Sequence, residues 1–193
     1  MSRRRNPAHR EALLSAAVEM IAVQGLTVST ATIAKQAGVS AGTLFNTFES
    51  KSLLVNQLYV SLKAEMGRAT SGGLPAEAGP RDQLRHVWDR WVGWATGTPE
   101  KRRVLAQLDV AEDITAESRD AAHQALSGMG ELLERCRAGG PMQNVPLRFV
   151  LRILSSIADA TIDDLIDRPG PGSATDDPRS SAAFDAIWRA LAR

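Results

Sequence analysis

Apolar residues recur at intervals of three and four along nearly the whole 193-residue chain, and almost nowhere at intervals of two. That period belongs to helices with one buried face and leaves little room for strands. Leu13, Ala16, Ala17, Met20 and Ile21 set the pattern, and Leu53, Leu54, Leu58 and Leu62 repeat it. Leu147–Leu154 is apolar enough for a strand, but the spacing continues through Ile157, Ala158, Ile162 and Leu165, which predicts a helix. An all-α fold is expected. Hydrophobic residues make up 44% and charged residues 23%, which excludes wholesale disorder, collagen and coiled-coil fibre. The apolar runs at Met20–Val23 and Ile153–Leu154 are far too short for a membrane span, so no membrane partner is expected. No apolar signal core follows Arg3, Arg4 and Arg5, so no secretion signal is read. The one cysteine, Cys136, cannot form an internal disulfide, which fits a reducing cytoplasm and excludes a cysteine-based zinc site.

Turn and cap residues divide the pattern into helices. Asn6 can cap a first helix with Pro7 in its first turn, where the missing N–H costs nothing. Gly25 ends that helix. Ser29 or Thr30 opens a second, through about Gln36, and Gly38 breaks the chain again. Ser40 caps a third, through about Thr47, and Ser50 caps a fourth. Ser71–Pro80 is rich in small residues, Gly and Pro, and reads as a junction. Four longer helices are predicted over about Arg81–Ala95, Glu100–Glu112, Ala116–Arg137 and Pro146–Asp167. Asp167–Ser181 reads as a loop around Pro169 and Pro171, before a final helix over Ser181–Arg193. Gly128 and Gly130 inside a helical pattern mark either a kink or a shorter helix.

The net charge of +1 hides an asymmetry. Residues 1–68 carry eight Lys/Arg against four acids, while the remainder is mildly acidic. A basic end suggests contact with nucleic acid, although a chance excess of four charges would look the same.

The stretch Thr30–Phe48, TATIAKQAGVSAGTLFNTF, carries the most information. Two helices of about two turns are joined by a tight turn at Ala37-Gly38-Val39-Ser40, and Ile33, Ala34, Val39, Leu44 and Phe48 supply the locking apolar contacts. This is the helix-turn-helix plan, whose second helix enters the major groove of DNA. Over about Ala12–Leu58 the chain resembles the tetracycline-repressor (TetR) family of bacterial regulators. The likeness rests on Gly25, Ile33-Ala34, Ala37-Gly38-Val39-Ser40, Gly42-Thr43-Leu44, an aromatic at 45, Phe48, and Ser50-Lys51 before Leu53. The resemblance implies residues 1–50 as the DNA-binding domain, 51–70 as a connecting helix and 81–193 as a helical ligand-binding and dimerisation domain.

It also implies roles for single residues. Ser40 caps the recognition helix, and Ala41, Gly42, Thr43 and Asn46 take its groove-facing end. Asn46 is either a base reader, pairing bidentately with adenine, or a solvated helix residue. Thr43 and Thr47 are placed to bond phosphates or touch a thymine methyl. Lys51 matches the family's phosphate-contacting lysine, and Lys35 adds a cation. Arg3, Arg4 and Arg5 form either a minor-groove arm or a solvated tail. The chain departs from the usual pattern at four places: Phe45 where Tyr is common, Ala31, Thr30 and Thr47. The recognition helix is therefore thin in phosphate contacts, and Lys35, Lys51 and the arginine arm must carry more of the binding.

In the C-terminal body, Trp88, Trp91 and Trp94 drift around their helix, so they cannot all face one core. Trp88 and Trp91, with Leu105, Leu108, Met129, Leu133 and Phe149, are expected to line a small-molecule pocket or, failing that, to pack ordinarily. Asp159, Asp163 and Asp167 form a stripe that reads as solvated rather than metal-binding, since like charges in a row repel. His9, His86 and His123 lack ligand-like spacing, and no phosphate loop, nucleophile elbow or zinc motif occurs. No cofactor, metal or enzyme activity is expected. In the family the last two helices pair across a two-fold axis. Here that implies a homodimer, with Val150, Ile153, Leu154, Ile157, Ile162, Phe184, Ile187, Trp188 and Leu191 giving enough apolar surface for both core and interface. The function implied is a homodimeric repressor released from a palindromic operator by a small molecule. A ligand-independent regulator or activator, and a protein that kept the fold but lost DNA binding, stay open.

Overall fold

A computed structural model describes residues 7–192. Ten helices, and no strand, occur among the described residues: α1 Pro7–Gln24, α2 Thr30–Gln36, α3 Ala41–Thr47, α4 Lys51–Ser71, α5 Pro80–Gly97, α6 Pro99–Asp109, α7 Ala116–Gln124, α8 Ser127–Arg137, α9 Leu147–Asp167 and α10 Pro178–Leu191.

The chain forms two compact units. The first comprises residues 7–64 with Glu100–Gln124, and the second Glu65–Pro99 with residues 125–192. Packing therefore groups most of α6 and all of α7 with the N-terminal helices, whereas sequence had drawn them into a body over 81–193. In the first unit α1, α2 and α3 pack mutually. Leu13, Ile21, Ile33, Leu44, Phe48 and Leu54 are completely buried there. Burial of each such side chain contributes roughly 1.5–3 kcal/mol. Leu105 and Leu108 are buried in this same unit.

The second unit is built on α5, which packs against α8, α9 and α10. Its core joins Leu84, Val87, Trp88 and Val92 of α5 to Leu132 and Leu133 of α8, Val150, Leu154 and Ile162 of α9, and Phe184, Ile187 and Leu191 of α10. Six of the residues expected to serve core and interface are core residues of one chain: Val150, Leu154, Ile162, Phe184, Ile187 and Leu191. Helical periodicity marks a buried face but does not say what buries it. Ile153, Ile157 and Trp188 are half-buried.

Two differences from the expected helix boundaries have a local cause. The single helix expected over Ala116–Arg137 is two, α7 and α8. The chain breaks near Ala125, whose carbonyl lies so close to Gly67 that a Cβ there would sit 2.6 Å from it. At the other end, α10 starts three residues earlier than expected, because Asp177 accepts from the Arg179 N–H and Pro178 occupies the first turn. No helix among the described residues is long and apolar enough to cross a membrane.

Candidate nucleic-acid interface

The helix-turn-helix is assembled by caps and one left-handed glycine. Ser29, in extended backbone, accepts from the Thr32 N–H at 3.1 Å and so opens α2. At the far end, the Gly38 N–H donates to the Lys35 carbonyl and the Val39 N–H to the Ala34 carbonyl. Gly38 takes φ +67°, a region that side chains rarely adopt. Ser40 then repeats the cap at 3.1 Å from the Thr43 N–H and opens α3. Ser50 does the same for the Leu53 N–H at the start of α4.

These caps fix which way α3 faces. Leu44 and Phe48 are fully buried, so Ala41, Gly42, Phe45 and Asn46 point outward. Phe45 is 48% exposed, which is unusual for a phenyl ring. Thr43 is half-buried and shares a hydrogen bond with the Ser40 hydroxyl at 3.0 Å. Thr47 does not join the outer face. It is buried, and its hydroxyl donates to the Thr43 carbonyl at 2.8 Å. The phosphate role expected of Thr47 is therefore withdrawn, since it lies on the Leu44–Phe48 side of the helix.

Lys35 is exposed on α2. Lys51 is half-buried, and its ammonium donates to the Leu26 carbonyl at 2.6 Å, tying the start of α4 to the loop after α1. An ammonium has three donors, so two stay available for another acceptor. Arg3, Arg4 and Arg5 lie outside the described residues.

A polar cluster forms on α4 that helical periodicity alone does not reveal. The Asn56 amide donates to the Asp113 carbonyl and its oxygen accepts from the Thr115 N–H, both at 2.9 Å. The Tyr59 hydroxyl donates to Asp109 at 3.1 Å, and Lys63 pairs with the same carboxylate at 2.9 Å. Burial first, then the charge and hydrogen bond of Asp109, push the Tyr59 hydroxyl up to about 12. The available signal was a pair of polar side chains, Asn56 and Tyr59, inside the apolar stripe of Leu54, Leu58 and Leu62.

The expected pocket residues are divided between the two units. Leu105 and Leu108 belong to the first unit, and the other five to the second. Trp88 and Leu133 are core residues, and the Trp88 indole N–H donates to the buried Ser180 hydroxyl at 2.9 Å. Phe149 is 55% exposed and faces solvent instead of lining a cavity. Trp91 and Met129 are half-buried against the core. The Trp91 indole N–H is buried and has no partner among the described residues. A cleft of about 200 Å³ does exist in the second unit, lined by other residues, including Thr96, Leu165, Ile166 and Pro169. No His, Cys, Asp or Glu group able to hold a metal occurs among the described residues. Cys136 is buried beside the Pro80 carbonyl, and burial pushes its thiol up to about 11, which leaves it unreactive.

A short, capped second helix with an outward face, set on a three-helix core, defines the helix-turn-helix motif of DNA-binding proteins. Residues 13–58 match the family of "bacterial regulatory proteins, tetR family". A structure from Shewanella sp. PV-4 assigned to the tetR family is 27% identical, with a TM-score of 0.86 over 96% of this chain and 98% of that one. A TetR-family transcription regulator from Marinobacter aquaeolei VT8 is 21% identical, with a TM-score of 0.84 over 96% of each chain. The regulator FadR from Bacillus subtilis, solved with stearoyl-CoA, is 19% identical, with a TM-score of 0.72 over 94% of this chain and 98% of that one. Residues 13–58 thus resemble the DNA-binding domain of TetR-family regulators, and the all-helical fold of the chain is that of the TetR-family structures it matches.

Proposed function

We propose that two copies of this chain bind a palindromic operator through α3 and repress the adjoining gene until a small molecule enters the second unit. The observation that carries the reading is the outer face of α3. Ala41, Gly42, Phe45 and Asn46 are held rigidly by the Ser40 cap and the Leu44–Phe48 contacts, yet stand exposed. The Asn46 amide suits an adenine edge, and Lys35, Lys51 and the N-terminal arginines supply cations for phosphate. Pairing falls to the half-buried apolar residues of α9 and α10, Ile153, Ile157 and Trp188, with exposed Phe149 beside them in sequence. A two-fold dimer would set the two recognition helices about 34–36 Å apart.

Ligand release is supported by Trp91, whose buried indole N–H lacks a partner that a ligand can supply. Because FadR of Bacillus subtilis was solved with stearoyl-CoA, a long-chain acyl-CoA is the first probe. Linkage requires that ligand and operator weaken each other's binding equally. The reading places the chain in the cytoplasm, with the chromosome. A ligand-independent regulator is the second reading, favoured by the full packing of Trp88 and Leu133 in the core.

The test is selection of genomic DNA fragments by the purified protein at two salt concentrations. A palindrome beside the chain's own gene is expected. With about four to six phosphates neutralised per dimer, the log–log salt slope should be roughly −4 to −5. A slope near zero would overturn DNA binding. Acyl-CoA that binds without changing operator affinity would overturn its role as the releasing ligand.

A further inference from the structure

The reading face of α3 is almost without hydrogen-bonding groups. Of its four outward residues, only Asn46 carries a polar side chain, and Ala41, Gly42 and Phe45 offer carbon alone. Two observations show that the fold does not require this. Phe45 is 48% exposed, so its ring is not there to fill the core. Gly42 has ordinary negative φ, and a Cβ built there would meet nothing closer than the Ser40 hydroxyl at 3.7 Å. A glycine in a helix costs up to about 1 kcal/mol against alanine, and here no internal contact asks for it.

Helical side chains lean toward the N-terminus, which directs Phe45 toward the turn that carries Ala41 and Gly42. That turn is the end of a recognition helix that meets base edges. A bare backbone at 41 and 42 lets the helix sit deep, and the ring then meets the floor of the groove. The one apolar group displayed on that floor is the thymine 5-methyl.

We propose that Phe45 is a specificity-determining residue that reads thymine methyl groups in the operator half-site, with Gly42 setting the depth of approach. The proposal rests on the DNA-binding reading above and deepens it. It assigns the phenyl ring to base recognition, where a tyrosine would offer a hydroxyl for phosphate.

The test uses the full chain and the tightest duplex recovered from a random-sequence selection. Each thymine of that duplex is replaced in turn by uracil, which removes only the methyl. One or two positions per half-site should lose about threefold to fivefold in affinity, the equivalent of one methyl left in water. In Phe45→Ala those same positions should become indifferent to uracil, while Phe45→Tyr should keep the discrimination. Gly42→Ala should weaken the preference for thymine at those positions more than it weakens binding to unrelated DNA. Unchanged helical ellipticity in all three variants shows that the fold is kept. Tight binding that ignores every uracil, or a uracil penalty that survives in Phe45→Ala, overturns the proposal and leaves the regulator reading standing. Failure to select any duplex overturns both.

Discussion

The two units reach a stable core by different means. In the helix-turn-helix part of the first, short helices are cut to length by local chemistry: caps at Ser29, Ser40 and Ser50, and left-handed glycines at 25 and 38. In the second, longer helices are joined by contacts between residues far apart in the chain. Trp88 reaches Ser180, the Arg81 and Arg85 guanidinium groups lie over the Phe184 ring at 5.7 and 5.1 Å, and Arg179 bridges Asp177 and Asp164. Local chemistry is fixed by a few neighbouring residues and survives changes elsewhere. Contacts between distant residues give a body whose surface and cavities can vary while the helices stay.

The molecule carries its own probes for this difference. All four tryptophans, 88, 91, 94 and 188, lie in the second unit, and the single tyrosine, Tyr59, lies in the first. The largest effects are expected from the two fully buried rings. Phe48→Ala and Phe184→Ala should each cost about 3–5 kcal/mol through the cavity left behind. In urea, Phe184→Ala should lower the midpoint seen by tryptophan emission more than that seen by tyrosine absorbance, and Phe48→Ala should do the reverse. Coincident shifts with both probes in both variants would break the division into two units.

Tyr59 sharpens the comparison from the side of the first unit. Its hydroxyl is pushed from 10.0 to about 12 by burial and by Asp109. The folded protein thus holds this proton more tightly than the unfolded chain does. Stability from this group is complete below pH 10 and declines as pH rises from about 10 to 12. A phenolate absorbance titration should show the single tyrosine ionising near 12 while helical ellipticity persists. Asp109→Asn removes the charge but not the burial, so the midpoint should fall part of the way back. Ionisation near 10 in the folded protein would show that Tyr59 is neither buried nor held by Asp109.

This contrast also explains what the sequence made legible. The ends of α1, α2 and α3 were readable because Pro7, Gly25, Ser29, Gly38 and Ser40 act on backbone groups within three or four residues. The outward placement of Ala41, Gly42 and Asn46 followed from the same register. Thr47 was misplaced because a seven-residue helix leaves little between its faces, and its hydroxyl satisfied a carbonyl of its own helix. In the second unit, periodicity found the apolar faces of α9 and α10 but not what covers them. Val150, Ile162 and Phe184 join one core with residues of α5 and α8 of their own chain, a fact carried only by tertiary packing. The Asn56–Asp113–Thr115 clasp was hidden for the same reason, since its partners lie 57 and 59 positions away.

Two serines put the comparison to its finest test, because each accepts one N–H, one locally and one across the fold. Ser180→Ala leaves the buried Trp88 indole N–H without an acceptor, which should cost about 1–3 kcal/mol and alter tryptophan emission. Ser40→Ala removes the cap of α3 and should cost about 1 kcal/mol, leaving tryptophan emission unchanged but weakening DNA binding as α3 frays. Replacement by asparagine separates the two further. At position 40, which is exposed, asparagine supplies an equivalent cap and should restore stability. At position 180, which is fully buried, the larger amide has no room and should destabilise at least as much as alanine. If Ser180→Asn were as stable as the parent chain, the second unit would be more loosely packed than its buried core implies, and the distinction between a locally determined reader and a tertiary-packed body would lose its physical basis.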